Sequence, residues 1–195
     1  MILKGNRSWL IVTKDKSSES YLKWSSPGLR ATDSDTSVEV RSACCTDGTY
    51  EIMFGLASDW SQLYTFEIDR NSHFELWRAD GSGWDLLRSG NSGFLKPGDE
   101  KNLLMVRREG AMIHAFANGN LLLSEESSSL SEMGYVGVIA SVYNDANTFN
   151  YFDNFSILPA SCGSGAVNQI RFPTAEDGAS MNTGDSFSRR PGKTD

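Results

Sequence analysis

The fold is decided by residues 64–84, YTFEIDRNSHFELWRADGSGW. Apolar and polar residues alternate as far as Asp69, and they alternate again from Phe74 onward. The segment 69–72 between the two runs consists of residue types that favour a tight turn. Alternation with a period of two on both sides of a turn predicts a β-hairpin with one buried face.

The segments on either side of this hairpin repeat the same alternation. In TYEIMFGL, residues 49–56, the apolar side chains at positions 50, 52, 54 and 56 are predicted to share one face, opposite Glu51 and Met53. Turn signals such as Asn118-Gly119 separate the segments. Further strands are predicted at 8–13, 20–24, 36–43, 84–90, 102–108, 111–117, 120–126, 134–142 and 148–157.

The whole pattern is typical of an all-β protein. Roughly eleven to thirteen strands at intervals of about 10 residues predict a two-sheet antiparallel sandwich. No stretch has a helical period over three turns, although SSSLSEM, residues 127–133, has room for one helical turn. Residues 1–157 are therefore predicted to form the sandwich, whereas 158–195 are rich in Ser, Gly and Thr and form a low-complexity, irregular C-terminal tail.

Charge and hydropathy exclude several classes of partner. The chain has 18 Lys and Arg against 25 Asp and Glu, a net charge of -7, so it lacks the basic surface that nucleic acids and anionic lipids require. No apolar run reaches the roughly 18 residues of a membrane span. The amino terminus reads as a strand with no signal-peptide cleavage site, which leaves a cytoplasmic chain or one whose leader has been removed.

The three cysteines do not decide the compartment. Cys44 and Cys45 are adjacent and Cys162 is distant, so free thiols, a disulfide from one of the pair to Cys162, and a metal site all stay open. Three cysteines without CxxC spacing are a weak ligand set.

The order of motifs resembles a known class of domains. LKWSSPG, SVEVRSA, YEIMFGL, the hairpin, MIHAFANGNLL and YFDNFSI together resemble bacterial concanavalin A-like jelly-roll domains, grouped with LamG-like and 3-keto-disaccharide hydrolase-like modules. The resemblance covers about residues 8–157. It implies a jelly-roll sandwich, carbohydrate or cell-surface recognition as the commonest role, hydrolysis in some branches, and an extracellular or cell-surface location.

Domains of this kind usually open with one more strand than the segment beginning at Ser8 supplies. The resemblance therefore implies a missing first strand and an open sheet edge. This gives a second hypothesis, a structural subunit anchored in a larger assembly by its open edge and its tail. Ile170 and Phe172 are the tail residues expected to dock on the sandwich or on another protein chain.

Catalytic machinery is not predicted. Glu67, Ile68 and Asp69 resemble the start of the ExDxxE motif of glucanases with this fold, but Ser72 stands where the second catalytic glutamate belongs. No nucleophile is placed beside His73 or His114. Glycoside processing is the least favoured function, and a non-enzymatic module is expected.

Trp77 is the best candidate for a ligand platform. It shares its predicted outward face with Glu67 and Glu75, and Trp60 and Trp84 flank the same hairpin. Aromatic rings stack on the apolar faces of sugars while carboxylates take their hydroxyl groups. The alternative for all three tryptophans is structural packing, and for Glu67 it is an exposed strand followed by the turn residue Asp69.

No cofactor or metal is predicted from the residues. The resemblance makes calcium possible, since such domains often carry it and loops supply oxygen donors. These are Asp33, Asp35, Asn144, Asp145 and Asn147. They do not form a spaced ligand loop, and turn-stabilising hydrogen bonds are the alternative.

Overall fold

The computed structural model describes residues 3–4, 9–14, 21–42, 48–130, 133–142, 147–160 and 170–171. Within these ranges it has strands and turns and no helix, which confirms the all-β prediction. No helix in the described part is therefore long and apolar enough to cross a membrane. The strands are β1 Leu3–Lys4, β2 Trp9–Lys14, β3 Tyr21–Ser25, β4 Arg30–Ala31, β5 Ser34–Ser42, β6 Gly48–Leu56, β7 Gln62–Asp69, β8 His73–Asp80, β9 Gly83–Asn91, β10 Asn102–Glu109, β11 Met112–Ala117, β12 Asn120–Glu126, β13 Gly134–Val142, β14 Asn147–Pro159 and β15 Ile170–Arg171.

The strands form two antiparallel sheets. Sheet A has the order β1-β14-β5-β10-β11-β12, with β2 also paired to β14, and sheet B has the order β15-β4-β13-β6-β7-β8-β9, with β3 also paired to β13. Strands β6 to β9 follow one another in sequence and in space, whereas β14 pairs with β5 across more than a hundred residues. This is the two-sheet jelly-roll sandwich that the sequence predicts.

The core lies between the two sheets and consists of alternate residues from both. Ile52 and Phe66 of sheet B and Leu104 and Phe152 of sheet A are completely buried. Burial of each such side chain contributes about 1.5–3 kcal/mol to stability. The hairpin predicted at 64–84 is β7–β8, in which Phe66 lies opposite Leu76.

One predicted face assignment is wrong. Leu56 does not share the core face with Tyr50, Ile52 and Phe54; it packs on the other side of sheet B, with Met53. The cause is Gly55, whose φ of 62° interrupts the alternation. A β-carbon there would lie 2.9 Å from the Leu130 side chain, so both backbone angle and space require glycine.

The loops and termini differ from the sequence expectations in detail. Residues 127–130 form a turn rather than a helical turn. The predicted short strand at 84–90 is the longer β9. β1 lies ahead of the segment that begins at Ser8 and pairs with β14, Leu3 opposite Ile157.

The tail contributes β15, which pairs with β4 of the same chain, Ile170 opposite Ala31. Phe172 and the three cysteines lie outside the described residues. The expectation that the tail docks on a partner therefore stays a prediction.

Candidate functional site

The side of sheet B that faces away from sheet A, here called the outer face, carries a row of three carboxylates. Glu51 on β6 lies opposite Glu67 on β7, and Glu67 lies opposite Glu75 on β8. Trp77 stands in the next row, opposite Thr65. The shared face predicted for Glu67, Glu75 and Trp77 follows from this register. Glu51 was not predicted as part of this row, because alternation within β6 does not show which strand pairs with β6.

All three carboxylates of the row are buried, and the first two are almost completely excluded from solvent. Glu51 is 0 % exposed and Glu67 is 1 % exposed. The Ser141 hydroxyl donates to Glu51 Oε1 at 2.6 Å, and the Thr49 hydroxyl lies 3.1 Å from Glu51 Oε1 and 3.5 Å from Glu67 Oε2. Such hydrogen bonds offset part of the cost of removing a carboxylate from water. The expectation that Glu67 lies on an exposed strand is therefore wrong.

The third carboxylate lies at the start of an accessible region and has different partners. Trp77 Nε1 donates to Glu75 Oε2 at 2.9 Å, and His73 Nε2 lies 3.1 Å from Glu75 Oε1. The other ring nitrogen of His73 is 3.2 Å from Asn91 Oδ1. His73 and Trp77 are partly exposed and Asn91 is exposed. These linked contacts fix the orientation of the indole ring.

We call this accessible region the β8–β9 strip. It consists of three cross-strand pairs, His73 with Asn91, Glu75 with Ser89, and Trp77 with Leu86. Leu86 is 46 % exposed beside the indole, so the strip ends in an apolar surface. His73 was missed as a site residue, although its spacing of two from Glu75 and four from Trp77 was a usable signal.

Polar contacts hold the β8–β9 hairpin in register beneath this strip. Arg78 forms an ion pair with Asp85 on the facing strand, and the bond to Asp85 raises the pKa of the Arg78 guanidinium. In the turn, the Ser82 backbone N–H donates to Asp80 Oδ1 at 2.8 Å. Hydrogen bonds from the Ser82 hydroxyl and backbone N–H lower the pKa of Asp80. The turn carboxylate therefore stays ionised at neutral pH and stabilises the hairpin.

Trp60 and Trp84 also border the outer face, and Trp84 lies opposite Ala79, one outer-face position along β8 from Trp77. They pack on an apolar cluster that includes Met53, Leu63 and Ile139. Trp60 meets Trp24 edge to face, with 5.0 Å between ring centroids. These contacts agree with the packing alternative, and a ligand role for Trp60 and Trp84 stays a prediction.

The remaining candidates lie away from this face. His114 contacts the Ser124 hydroxyl on sheet A. Asp35 accepts two hydrogen bonds from Arg107, and Asp33 accepts one from the Gly110 backbone. In the part of the chain that the structure describes, no group of three His, Cys, Asp or Glu side chains is arranged to hold a metal ion. Asn144 and Asp145 lie outside that part, so the calcium expectation stays a prediction.

Comparison with known proteins identifies the fold. No family model matches the chain, and no curated protein matches its sequence. The carbohydrate-binding module CBM66 from Bacillus subtilis has a similar structure, at 14% identity, 78% coverage of this chain, 83% of that chain and a TM-score of 0.50. A Bacillus subtilis protein of unknown function with a galectin-like fold is similar at 12% identity, 82% and 88% coverage and a TM-score of 0.57. Bacillus licheniformis beta-glucanase is similar at 9% identity, 66% coverage of each chain and a TM-score of 0.53.

At such identities the likeness concerns the fold. The chain has a concanavalin A-like jelly-roll sandwich fold, as the motif order indicates. Both binding proteins and hydrolases share this architecture, so fold alone does not assign an activity.

Proposed function

We propose that this chain is a non-catalytic module that binds a carbohydrate on the β8–β9 strip. The observation that carries the proposal is Trp77, whose partly exposed indole is held by a hydrogen bond to Glu75. Because the indole ring is already fixed, stacking of a sugar on it costs little additional side-chain entropy of Trp77. The resemblance in fold to the carbohydrate-binding module CBM66 supports the same class of ligand.

The strip offers the two kinds of contact that a sugar needs. The Trp77 ring and the Leu86 side chain supply an apolar surface for the C–H face of a pyranose. Asn91 and Ser89 are exposed and carry amide and hydroxyl groups that exchange hydrogen bonds with sugar hydroxyls. His73 and Glu75 hold the indole and border the same surface.

Two features support binding without hydrolysis. Ser72 stands where the resemblance to glucanases requires a second glutamate, and its hydroxyl donates to the Leu95 carbonyl at 3.1 Å. Glu67, the first position of that motif, is 1 % exposed, so a substrate in solvent does not reach its carboxylate. A retaining hydrolase needs two accessible carboxylates about 5 Å apart across the scissile bond.

The test compares the full chain with Trp77→Ala on a panel of immobilised neutral, amino and acidic polysaccharides. We expect Trp77→Ala to weaken binding by roughly five- to thirtyfold, since a stacked aromatic contributes on the order of 1–2 kcal/mol. Phe94→Ala is the matched control, because Phe94 is 54 % exposed in the loop between β9 and β10 and is not part of the strip. Its affinity should equal that of the unmodified chain.

Three outcomes contradict the proposal: no polysaccharide of the panel binds, binding survives Trp77→Ala in a variant with unchanged circular dichroism, or reducing ends accumulate during incubation. The assembly hypothesis and the extracellular location stay predictions. In the described residues the tail strand β15 pairs within its own chain.

A further inference from the structure

A buried arginine lies between the two sheets, away from the β8–β9 strip. Arg108 on β10 points into the sandwich from the same face as Leu104 and Val106, and it is 4 % exposed. One terminal nitrogen donates to the Ala31 carbonyl at 3.3 Å, and the other donates to the Leu130 carbonyl. A guanidinium is rarely buried without a carboxylate partner, because its charge loses hydration.

Arg108 lines a cavity between the sheets. The cavity has room for about one water-sized group, and it is partly open to solvent. Its lining combines polar and apolar groups, and it consists of Ala31, Thr32, Ser34, Thr36, Phe54, Gly55, Val106, Arg108 and Val136. Within the described residues, the buried Nε of Arg108 has no hydrogen-bond partner.

The charge of Arg108 is only partly compensated. Burial lowers the pKa of the guanidinium, and the nearby charge of Asp33 acts in the opposite direction. Asp33 is not among the hydrogen-bond acceptors described for Arg108, and its Oδ1 accepts from the Gly110 backbone at 2.7 Å. A net positive group in a low-dielectric space with hydroxyl donors beside it attracts a small anion.

We propose that this cavity binds a small monovalent anion of the chloride type. The anion accepts a hydrogen bond from Arg108 Nε and further bonds from the hydroxyls of Ser34 and Thr36. The Ser34 hydroxyl donates to the Thr32 carbonyl at 3.3 Å, a long bond that it exchanges for the anion. Phe54 and Val136 give the cavity an apolar wall, which favours a weakly hydrated ion. The site is independent of carbohydrate binding, since it lies on the opposite side of sheet B.

Thermal unfolding of the full chain in sodium chloride and in sodium methanesulfonate, at equal ionic strength, tests the proposal. A ligand that binds only the folded state at ten times its Kd raises Tm by about 3–6 °C for a chain of this size. We expect this difference in the unmodified chain and its loss in Arg108→Met. Arg107→Met is the matched control, since Arg107 is the neighbouring arginine but pairs with Asp35 on the outside of sheet A. The control should keep the full chloride effect.

Thr36→Val is the second variant, because it preserves Arg108 and the shape of the cavity while removing one hydroxyl. It should reduce the chloride effect even if Arg108→Met does not fold. Crystals grown in sodium bromide should show an anomalous peak within about 3.5 Å of Arg108 Nε. The proposal is overturned if chloride and methanesulfonate give equal Tm values, if the chloride effect survives in both cavity variants, or if bromide is absent from the cavity.

Discussion

Glu51 and Glu75 stand in the same row of the outer face, two strands apart, and yet they have different surroundings. Glu51 is completely buried, and the hydroxyls of Ser141 and Thr49 contact its carboxylate. Glu75 is 8 % exposed, and its partners are the partly exposed side chains of His73 and Trp77. The part of the outer face around Glu51 is thus buried, whereas the part around Glu75 leaves an aromatic ring and polar groups partly exposed.

The comparison teaches that a position on the outer side of a sheet does not by itself mean accessibility. Alternation places both glutamates on the same side of sheet B. Only their neighbours make their surroundings different. Changes in the two parts should therefore have separable consequences: those near Glu51 should lower the free energy of unfolding, and those near Glu75 should lower affinity.

The largest difference is expected between Glu51→Ala and Glu75→Ala. Glu51→Ala leaves a cavity and takes an acceptor from two buried hydroxyls, so it should lower the free energy of unfolding by about 2–4 kcal/mol. Glu75→Ala should cost about 1 kcal/mol, because its partners His73 and Trp77 are partly exposed and water can replace the lost contacts. Equilibrium urea unfolding measures both.

Glu51→Gln is the control for this pair. It preserves the volume and one acceptor oxygen, and it should recover more than half of the loss. Equal costs for Glu51→Ala and Glu75→Ala would remove the distinction between the two parts.

A smaller effect is expected from two serines. Ser141→Ala removes the 2.6 Å hydrogen bond to Glu51 and should cost about 1–2 kcal/mol. Ser89→Ala, in the strip opposite Glu75, should change stability by less than about 0.5 kcal/mol, because Ser89 is exposed. Ser89→Ala should instead weaken carbohydrate binding, and unchanged affinity would exclude Ser89 from the ligand contacts.

The smallest effect is expected on sheet A, which borders neither part. The hydrogen bond from Lys101 is the main cause of the lowered pKa of Glu39. A lowered carboxyl pKa adds stability above the unfolded-state pKa of about 4.3 and loses it as the pH falls through the folded-state value. Lys101→Met should therefore cost about 0.2–1 kcal/mol at pH 7 and nothing at pH 2. Urea unfolding at pH 7 and pH 2 measures this cost. The carbohydrate affinity of Lys101→Met should equal that of the unmodified chain.

Much of the fold follows from short-range pattern. Alternation places Ile52, Phe66 and Leu76 in the core and Glu67, Glu75 and Trp77 on the other side, because side chains of a strand point alternately to its two faces. Gly55 marks the limit of this reasoning. Its left-handed backbone moves Leu56 to the opposite face, and the sequence of β6 contains no other sign of the change.

The site was only half predictable, for a physical reason. Whether a side chain is buried depends on residues brought close by long-range pairing, and Ser141 meets Glu51 from a strand 90 positions away. Alternation gives the face of Glu67 but not its burial. The link from Asn91 through His73 to Glu75 likewise depends on the register of β8 against β9.

The most direct test of ligand binding at the β8–β9 strip is a titration followed through the indole N–H resonances in a ¹⁵N-labelled full chain. The five tryptophans are assigned by single Trp→Phe variants. A polysaccharide that binds the strip should shift the Trp77 resonance and leave that of Trp24, buried in the outer-face cluster, unchanged. Saturable binding that shifts Trp24 and leaves Trp77 unmoved would contradict the assignment of this surface.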